Sequence, residues 1–286
     1  MGSPCAMHVF ASDATKAESL FARARADIER MEQRYSRYRS DSLLSEINRA
    51  ASCGGSVAVD DETAGLLDYA DTCYRQSDGL FDITSGLLRR AWRFDGGRLP
   101  DENVLKALLT KVGWDKLRWN RPVLSFAPGM ELDFGGIVKE YAADRIATLF
   151  REQHSPHALI NLGGDVRVVG PRPDSGPWRV GIRHPRQPGD LLDTLALTGG
   201  GVATSGDYER CMVIDGVRYG HILNPKTGWP VRHLASVTVV ADFCVIAGSA
   251  STIAMLKEDQ GPVWLQSLGL RHGWVDTAGR TGGDFV

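Results

Sequence analysis

The chain lacks most of the features that mark the special protein classes. Its five cysteines, Cys5, Cys53, Cys73, Cys211 and Cys244, are odd in number, widely spaced and never arranged as C-x-x-C. That excludes a closed disulfide framework and leaves no grouping for a structural zinc. The plain expectation is buried or half-buried free thiols. No run approaches the roughly 20 apolar residues that a membrane-crossing helix needs, so no membrane span is expected. The opening Met1-Gly-Ser-Pro-Cys5 has no basic stretch followed by an apolar one, so it does not read as a secretory leader. The expected location is cytoplasmic, or periplasmic if a leader has been removed. Neither sign of charge dominates: 33 Lys and Arg against 35 Asp and Glu leave a net charge of -2. A general nucleic-acid binder, which displaces counterions with a large basic excess, is therefore not expected. The sequence also has no G-x-S-x-G elbow, H-E-x-x-H pair, Walker loop or G-x-G-x-x-G fingerprint.

What is present suffices for a sizeable core. The 286 residues are 43% hydrophobic, and a chain of this length buries roughly 75% of its unfolded surface without metal or disulfide staples. The expectation is one domain over residues 1–286, with room for two interleaved subdomains. Leu20, Phe21, Ala24, Ile28, Met31 and Tyr35 recur near a 3.6 spacing and predict a long amphipathic helix capped by Asp13. Leu66, Leu67, Ala70, Cys73 and Tyr74 form a second helical stripe. Val104, Leu105, Leu108, Leu109 and Val112 form a third, entered through Pro100-Asp101. Strand signals follow at 158–162, 178–182, 191–197 and 236–240, with a small-residue helix over 247–255 and a last strand at 273–275. The strands from 158 to 240 are too closely spaced for helical crossovers. The predicted class is α+β, with mixed or antiparallel sheets and flanking helices.

Five segments carry chemistry. Ser77-Asp-Gly-Leu-Phe-Asp-Ile-Thr84 holds Asp82, either a functional carboxylate or a cap for the next helix. Leu132-Asp-Phe-Gly-Gly-Ile-Val-Lys139 reads as a strand end, two glycines and a helix start, which makes an anion cradle with Lys139 as a point charge. Asn161-Leu-Gly-Gly-Asp165 is a close-approach loop or a tight hairpin. His221 stands at a strand end before a turn built from Asn224-Pro225 and Thr227-Gly228. Ala247-Gly-Ser-Ala-Ser-Thr252 is a closely packed helix that offers the Thr252 hydroxyl.

In this order the segments resemble the ApbE-like family, the FAD:protein FMN transferases. The resemblance runs from Met1 to about Trp274 and takes in Tyr35-Ser-Arg-Tyr-Arg-Ser-Asp41, Ser45-Glu-Ile-Asn48 and Ala203-Thr-Ser-Gly-Asp207 as well. It implies Mg²⁺-dependent transfer of the FMN half of FAD onto a Thr or Ser hydroxyl of an acceptor flavoprotein, with release of AMP. It further implies FAD contacts at Met1, Tyr38, Leu80, Phe81, Asp82, Asp133, Lys139 and Ile222. His221 is the implied general base, and the Gly136 carbonyl and Thr252 belong to the metal site. Two positions depart from the family pattern. The Asp usual four residues before the metal-site Thr is Gly248 here, and the Gly usual after the Lys is Glu140. A step of about 100° along a helix separates Glu140 from Lys139, so Glu140 is expected to point away from the nucleotide. Gly248 signals either a missing ligand or close packing of its helix against a strand. Two alternatives stay open: a non-catalytic FAD-binding carrier, and a Mg²⁺-dependent FAD pyrophosphatase.

Overall fold

The computed structural model describes residues 3–285; Met1, expected at the nucleotide, lies outside them. The chain opens on strand β1 (Cys5–Val9), followed by helices α1 (Ala14–Tyr35) and α2 (Leu43–Cys53). Then come β2 (Ser56–Ala58), α3 (Asp61–Gln76), a 3₁₀ helix (Ile83–Arg90), α4 (Glu102–Leu109), β3 (Arg118–Asn120) and β4 (Val123–Ser125). Next are α5 (Val138–Glu152), β5 (Ala158–Leu162), β6 (Asp165–Val169), β7 (Trp178–Arg183), β8 (Leu191–Leu197) and β9 (Gly200–Gly206). The hairpin β10 (Cys211–Ile214) and β11 (Val217–Gly220) precedes β12 (Leu234–Ala241), α6 (Cys244–Leu256), α7 (Gly261–Ser267), β13 (Arg271–Asp276) and β14 (Thr281–Gly283).

The predicted caps form. Asp13 accepts from the Lys16 N–H at the start of α1, and Asp101 accepts from Asn103 and Val104 at the start of α4. The predicted stripe of α1 turns Leu20, Ala24, Met31 and Tyr35 into the core. The main sheet runs in the order β1-β5-β6-β9-β12-β13-β14, and its pairings are antiparallel. One face carries α5 and α6, which also pack on each other. The other face is closed by the β7–β8 hairpin, through Val180, Ile182, Leu195 and Leu197 against Val166, Val168 and Val202. A third apolar cluster joins Leu88, Trp92 and Leu105 to Met212 and Tyr219 of the β10–β11 hairpin.

Two local expectations need correcting, and one open alternative is decided. Leu132-Asp133-Phe134 is not a strand. Asn48 replaces a neighbouring strand there, donating from Nδ2 to the Leu132 carbonyl and accepting the Leu132 N–H at Oδ1, while the Asp133 N–H reaches the Ile83 carbonyl. Asn161-Leu-Gly-Gly-Asp165 is the tight hairpin, with Gly163 and Gly164 at φ of +65° and +101° between paired Leu162 and Asp165. The strand at 273–275 is not the last, because β14 pairs with it through Thr281, Gly282 and Gly283, where glycines give no β signal.

Candidate active site

The site is assembled where the 3₁₀ helix, the start of α5, the hairpins β5–β6 and β10–β11, and the middle of α6 meet. Asp82 enters first, and its carboxylate is occupied: Oδ1 accepts from the Thr84 N–H and hydroxyl at 2.8 and 2.7 Å, and Oδ2 from the Trp114 N–H at 3.0 Å. Burial outweighs these bonds and raises its pKa. Asp82 is therefore a cap that ties two segments together, and it holds Phe81 under the Gly135-Gly136 turn. The edge of the Phe81 ring would lie 3.3 Å from a Cβ on Gly136. Leu80 is half-buried beside the same core.

Asp133 lies across from the end of α1. It accepts the Gly135 N–H at 2.9 Å and forms an ion pair with Arg37. Gly86 leaves it room, since a Cβ there would overlap the Asp133 side chain. Arg37 also donates to the Tyr38 hydroxyl at 2.8 Å, and its guanidinium lies 4.9 Å from the Tyr38 ring centre. Tyr38 is 78% exposed, so its open ring face is free for stacking. The hydrogen bond from Arg37, with help from Arg210, holds its pKa below the ordinary tyrosine value. Tyr38, Arg89, Trp92, Arg93 and Arg210 line a cavity of about 590 Å³, within the range of small-molecule sites.

His221 follows β11 directly. The loop after it is pinned by Asn224, whose carboxamide accepts the Lys226 N–H at 2.9 Å, and by the Trp92 indole, which donates to the Gly228 carbonyl at 2.7 Å. His221 is exposed to solvent, while the protein packed around its ring still desolvates it in part. That burial and the nearby Arg210 charge push its pKa below 6.5. Ile222 is half-buried against the main core, and its carbonyl accepts the Val231 N–H at 3.0 Å.

A second polar group lies beneath the start of α5. Lys139 Nζ is 2.6 Å from Asp165 Oδ2, at the first residue of β6. Burial opposes the lysine charge, but Asp165 and Glu140 outweigh it and raise its pKa. Glu140 faces the same partner as Lys139. It is buried beside Asp165, and burial followed by the Asp165 charge displaces its pKa upward. The helical step separates Lys139 from Glu140, but Asp165 reaches both from the sheet below. Glu140 Oε2 has no hydrogen-bond partner. The Glu140 side chain lies over Gly248 of α6, so the close packing there is helix on helix, not helix on strand. One turn further along α6, Thr252 Oγ1 is 2.9 Å from Ser205 Oγ of β9. No cluster of three or more His, Cys, Asp or Glu suited to a metal occurs among the described residues. The oxygens offered are the Glu140 and Asp165 carboxylates, the Thr252 and Ser205 hydroxyls and the Gly136 carbonyl. That is a hard-donor set of the kind Mg²⁺ accepts when waters and substrate phosphates complete its shell.

The fold thus gathers Tyr38 and Asp133 through Arg37, and Tyr38 and His221 through Arg210. Lys139 meets Asp165 at the start of α5, Gly136 lies against Phe81, Thr252 lies against Ser205 of β9, and Asp82 is drawn into a supporting role. Arg37, Arg210 and Asp165 were not singled out in the sequence. Arg37 sits just past a helix end, where periodicity is silent, and Asp165 follows a Gly-Gly pair that already reads as a hairpin.

The ApbE family model matches residues 1–272. A FAD:protein FMN transferase of Klebsiella pneumoniae is 34% identical over 248 residues, covering 84% of this chain and 75% of its own. One from Vibrio cholerae is 31% identical over 242 residues, covering 82% and 72%. Among solved structures, the ApbE protein of Thermotoga maritima superposes with a TM-score of 0.89 at 30% identity, over 99% of this chain and 94% of its own. The apo flavinyl transferase ApbE of Pseudomonas stutzeri gives 0.87 at 30%, over 98% and 90%. The α+β class and antiparallel sheet expected from the sequence are the architecture that these structures share, and the chain belongs to the ApbE family.

Proposed function

We propose that this protein is a FAD:protein FMN transferase that moves FMN from FAD to a Thr or Ser hydroxyl of an acceptor flavoprotein and releases AMP. The observation that carries the reading is the placement of His221. It is solvent-reachable, has a depressed pKa and stands on a pinned loop that Arg210 links to the exposed ring of Tyr38. In the reaction the acceptor oxygen bonds to the FMN phosphorus and the bond from that phosphorus to the AMP phosphate breaks. His221 takes the hydroxyl proton as the oxygen attacks. Tyr38 and the arginine-lined cavity bind the nucleotide by stacking and charge, and Lys139 supplies a positive charge near the phosphates. Leu80, Phe81 and Ile222 shape the apolar wall, and Asp133 and Asp82 position the turn and the 3₁₀ helix around it.

Gly136, Thr252 and Glu140 are the residues that would hold Mg²⁺. When bound, the ion neutralises charge developing on the pyrophosphate oxygens. The chain's own part in that step would be to offer hard oxygens from the start of α5 and from α6. The Glu140 carboxylate beside Gly248 supports this reading over the carrier alternative, which a metal site without a carboxylate would favour.

The test is incubation with FAD, Mg²⁺ and an acceptor flavoprotein domain, followed by intact mass. An acceptor heavier by one FMN moiety, together with free AMP, is the expected outcome. Free FMN and AMP with an unmodified acceptor would make the protein a pyrophosphatase. Intact FAD retained on the chain would make it a carrier.

A further inference from the structure

We propose that Glu140 of α5 provides the carboxylate of the divalent-cation site, entering through the space that Gly248 leaves open on α6. This rests on the Mg²⁺ requirement proposed above. Three observations converge on it. First, Glu140 and a side chain at 248 are mutually exclusive. A Cβ on Gly248 would lie 2.5 Å from Glu140 Cγ and 2.9 Å from its Oε1. Real Cβ atoms do not approach so closely, and Cγ is too near the backbone to swing clear cheaply. Second, Glu140 is only 7% exposed and its Oε2 is buried, yet that oxygen makes no hydrogen bond. A buried carboxylate oxygen without a donor calls for a ligand, an ion or a water. Third, Gly248 and Thr252 are one helical turn apart on α6 and share a face. A carboxylate resting on Gly248 therefore occupies the ground from which a side chain at 248 would serve the same face as the Thr252 hydroxyl.

Lys139 does not satisfy the orphaned oxygen, because its ammonium is engaged by Asp165 at 2.6 Å. Asp165 is in turn held by that lysine. Asp165 Oδ2, within ion-pair distance of that lysine, likewise makes no hydrogen bond, but Glu140 is the carboxylate of the two that lies against Gly248. The two departures in the sequence, an added carboxylate at 140 and a missing side chain at 248, are one exchange. The charged group has moved from α6 to the facing helix, and the space has moved the other way.

The experiment measures metal binding directly. Mn²⁺ is titrated by EPR into the full chain with FAD present, and the Mg²⁺-induced rise of the thermal midpoint is recorded for the same proteins. Glu140→Gln keeps the volume and removes the charge. It is expected to fold and to weaken Mn²⁺ by at least about tenfold, since even outer-shell contacts to a metal are worth about 10–100-fold. It should also lose most of the Mg²⁺ shift. Gly248→Ala should lower the midpoint without metal, because its methyl meets Glu140. The exchange variant Glu140→Gly with Gly248→Asp should regain Mn²⁺ affinity over Glu140→Gly alone. Wild-type Mn²⁺ affinity in a folded Glu140→Gln would overturn the proposal and leave a water as the partner of Oε2. A wild-type protein that binds FAD but no Mn²⁺ or Mg²⁺ would overturn the metal reading itself and this inference with it.

Discussion

A histidine that serves as a base must be neutral when the acceptor hydroxyl arrives. Burial and Arg210 push the His221 pKa below 6.5, so the neutral form persists into mildly acid solution. The acidic limb of the kcat/KM profile is expected below pH 6.5, and replacing Arg210 with Gln should move it upward, because a cation that disfavours imidazolium is lost. An unmoved limb in a folded Arg210→Gln would dissociate the two residues. His221→Ala should cut FMN transfer by about 10²–10⁴-fold while most FAD affinity survives, since a base acts in the transition state rather than in holding the cofactor. Single-turnover transfer and calorimetry with FAD separate the two effects. Near-normal transfer would reduce His221 to a structural residue.

Elements place these residues through a few buried ties. Phe243 gives no side-chain cap to α6, so Asp144 of α5 caps it from the side, accepting the Cys244 and Val245 N–H groups at 2.9 Å each. The same carboxylate is 2.8 Å from Arg167 Nε on β6, and that arginine side chain is only 4% exposed. Asp144→Ala strands a buried guanidinium and two helix N–H groups at once. A loss of about 3–5 kcal/mol is expected, as for other broken buried pairs, measured by urea unfolding. The α5–α6 contact should loosen with it. On the other side of the site, Trp92 is 3% exposed and holds the His221 loop at Gly228. Trp92→Ala should cost about 3–5 kcal/mol and lower transfer more than FAD affinity, because the base loses its position while the distant contacts remain. Urea midpoints and transfer rates measured together check this, and an unchanged rate in a folded variant would count against it.

At the scale of the whole molecule, the proposed contacts spread from Tyr38 at the end of α1 to Lys139 beneath α5, with His221 on a third element. FAD, larger than a mononucleotide, is the ligand proposed to span them. FAD is therefore expected to bind far more tightly than FMN or riboflavin, and calorimetry showing equal affinities would contradict a site that engages the AMP half. The three apolar clusters divide the labour. The main core fixes α5 and α6 on the sheet, the β7–β8 hairpin covers the opposite face, and the tryptophan-rich cluster carries the loop of His221.

Local signals determined much of this from the sequence. The α1 and α3 stripes, the Asp13 and Asp101 caps, the strands at 158–162 and 236–240 and the order of the motifs rest on period and on turn chemistry, which act between neighbours in the chain. The tertiary structure alone decided the rest. β1 became an edge strand because β5 offered it a partner about 150 residues away. Leu132-Asp133-Phe134 stayed out of any sheet because Asn48 met its backbone groups first. Arg37 and Arg210 joined the site only when a helix end and a hairpin were brought to one cleft. Glu140 shows the limit most clearly. A helical wheel gives its angle relative to Lys139, but the direction that counts is set by what lies opposite. Opposite it the fold placed Asp165, and a glycine on α6 with room for one carboxylate.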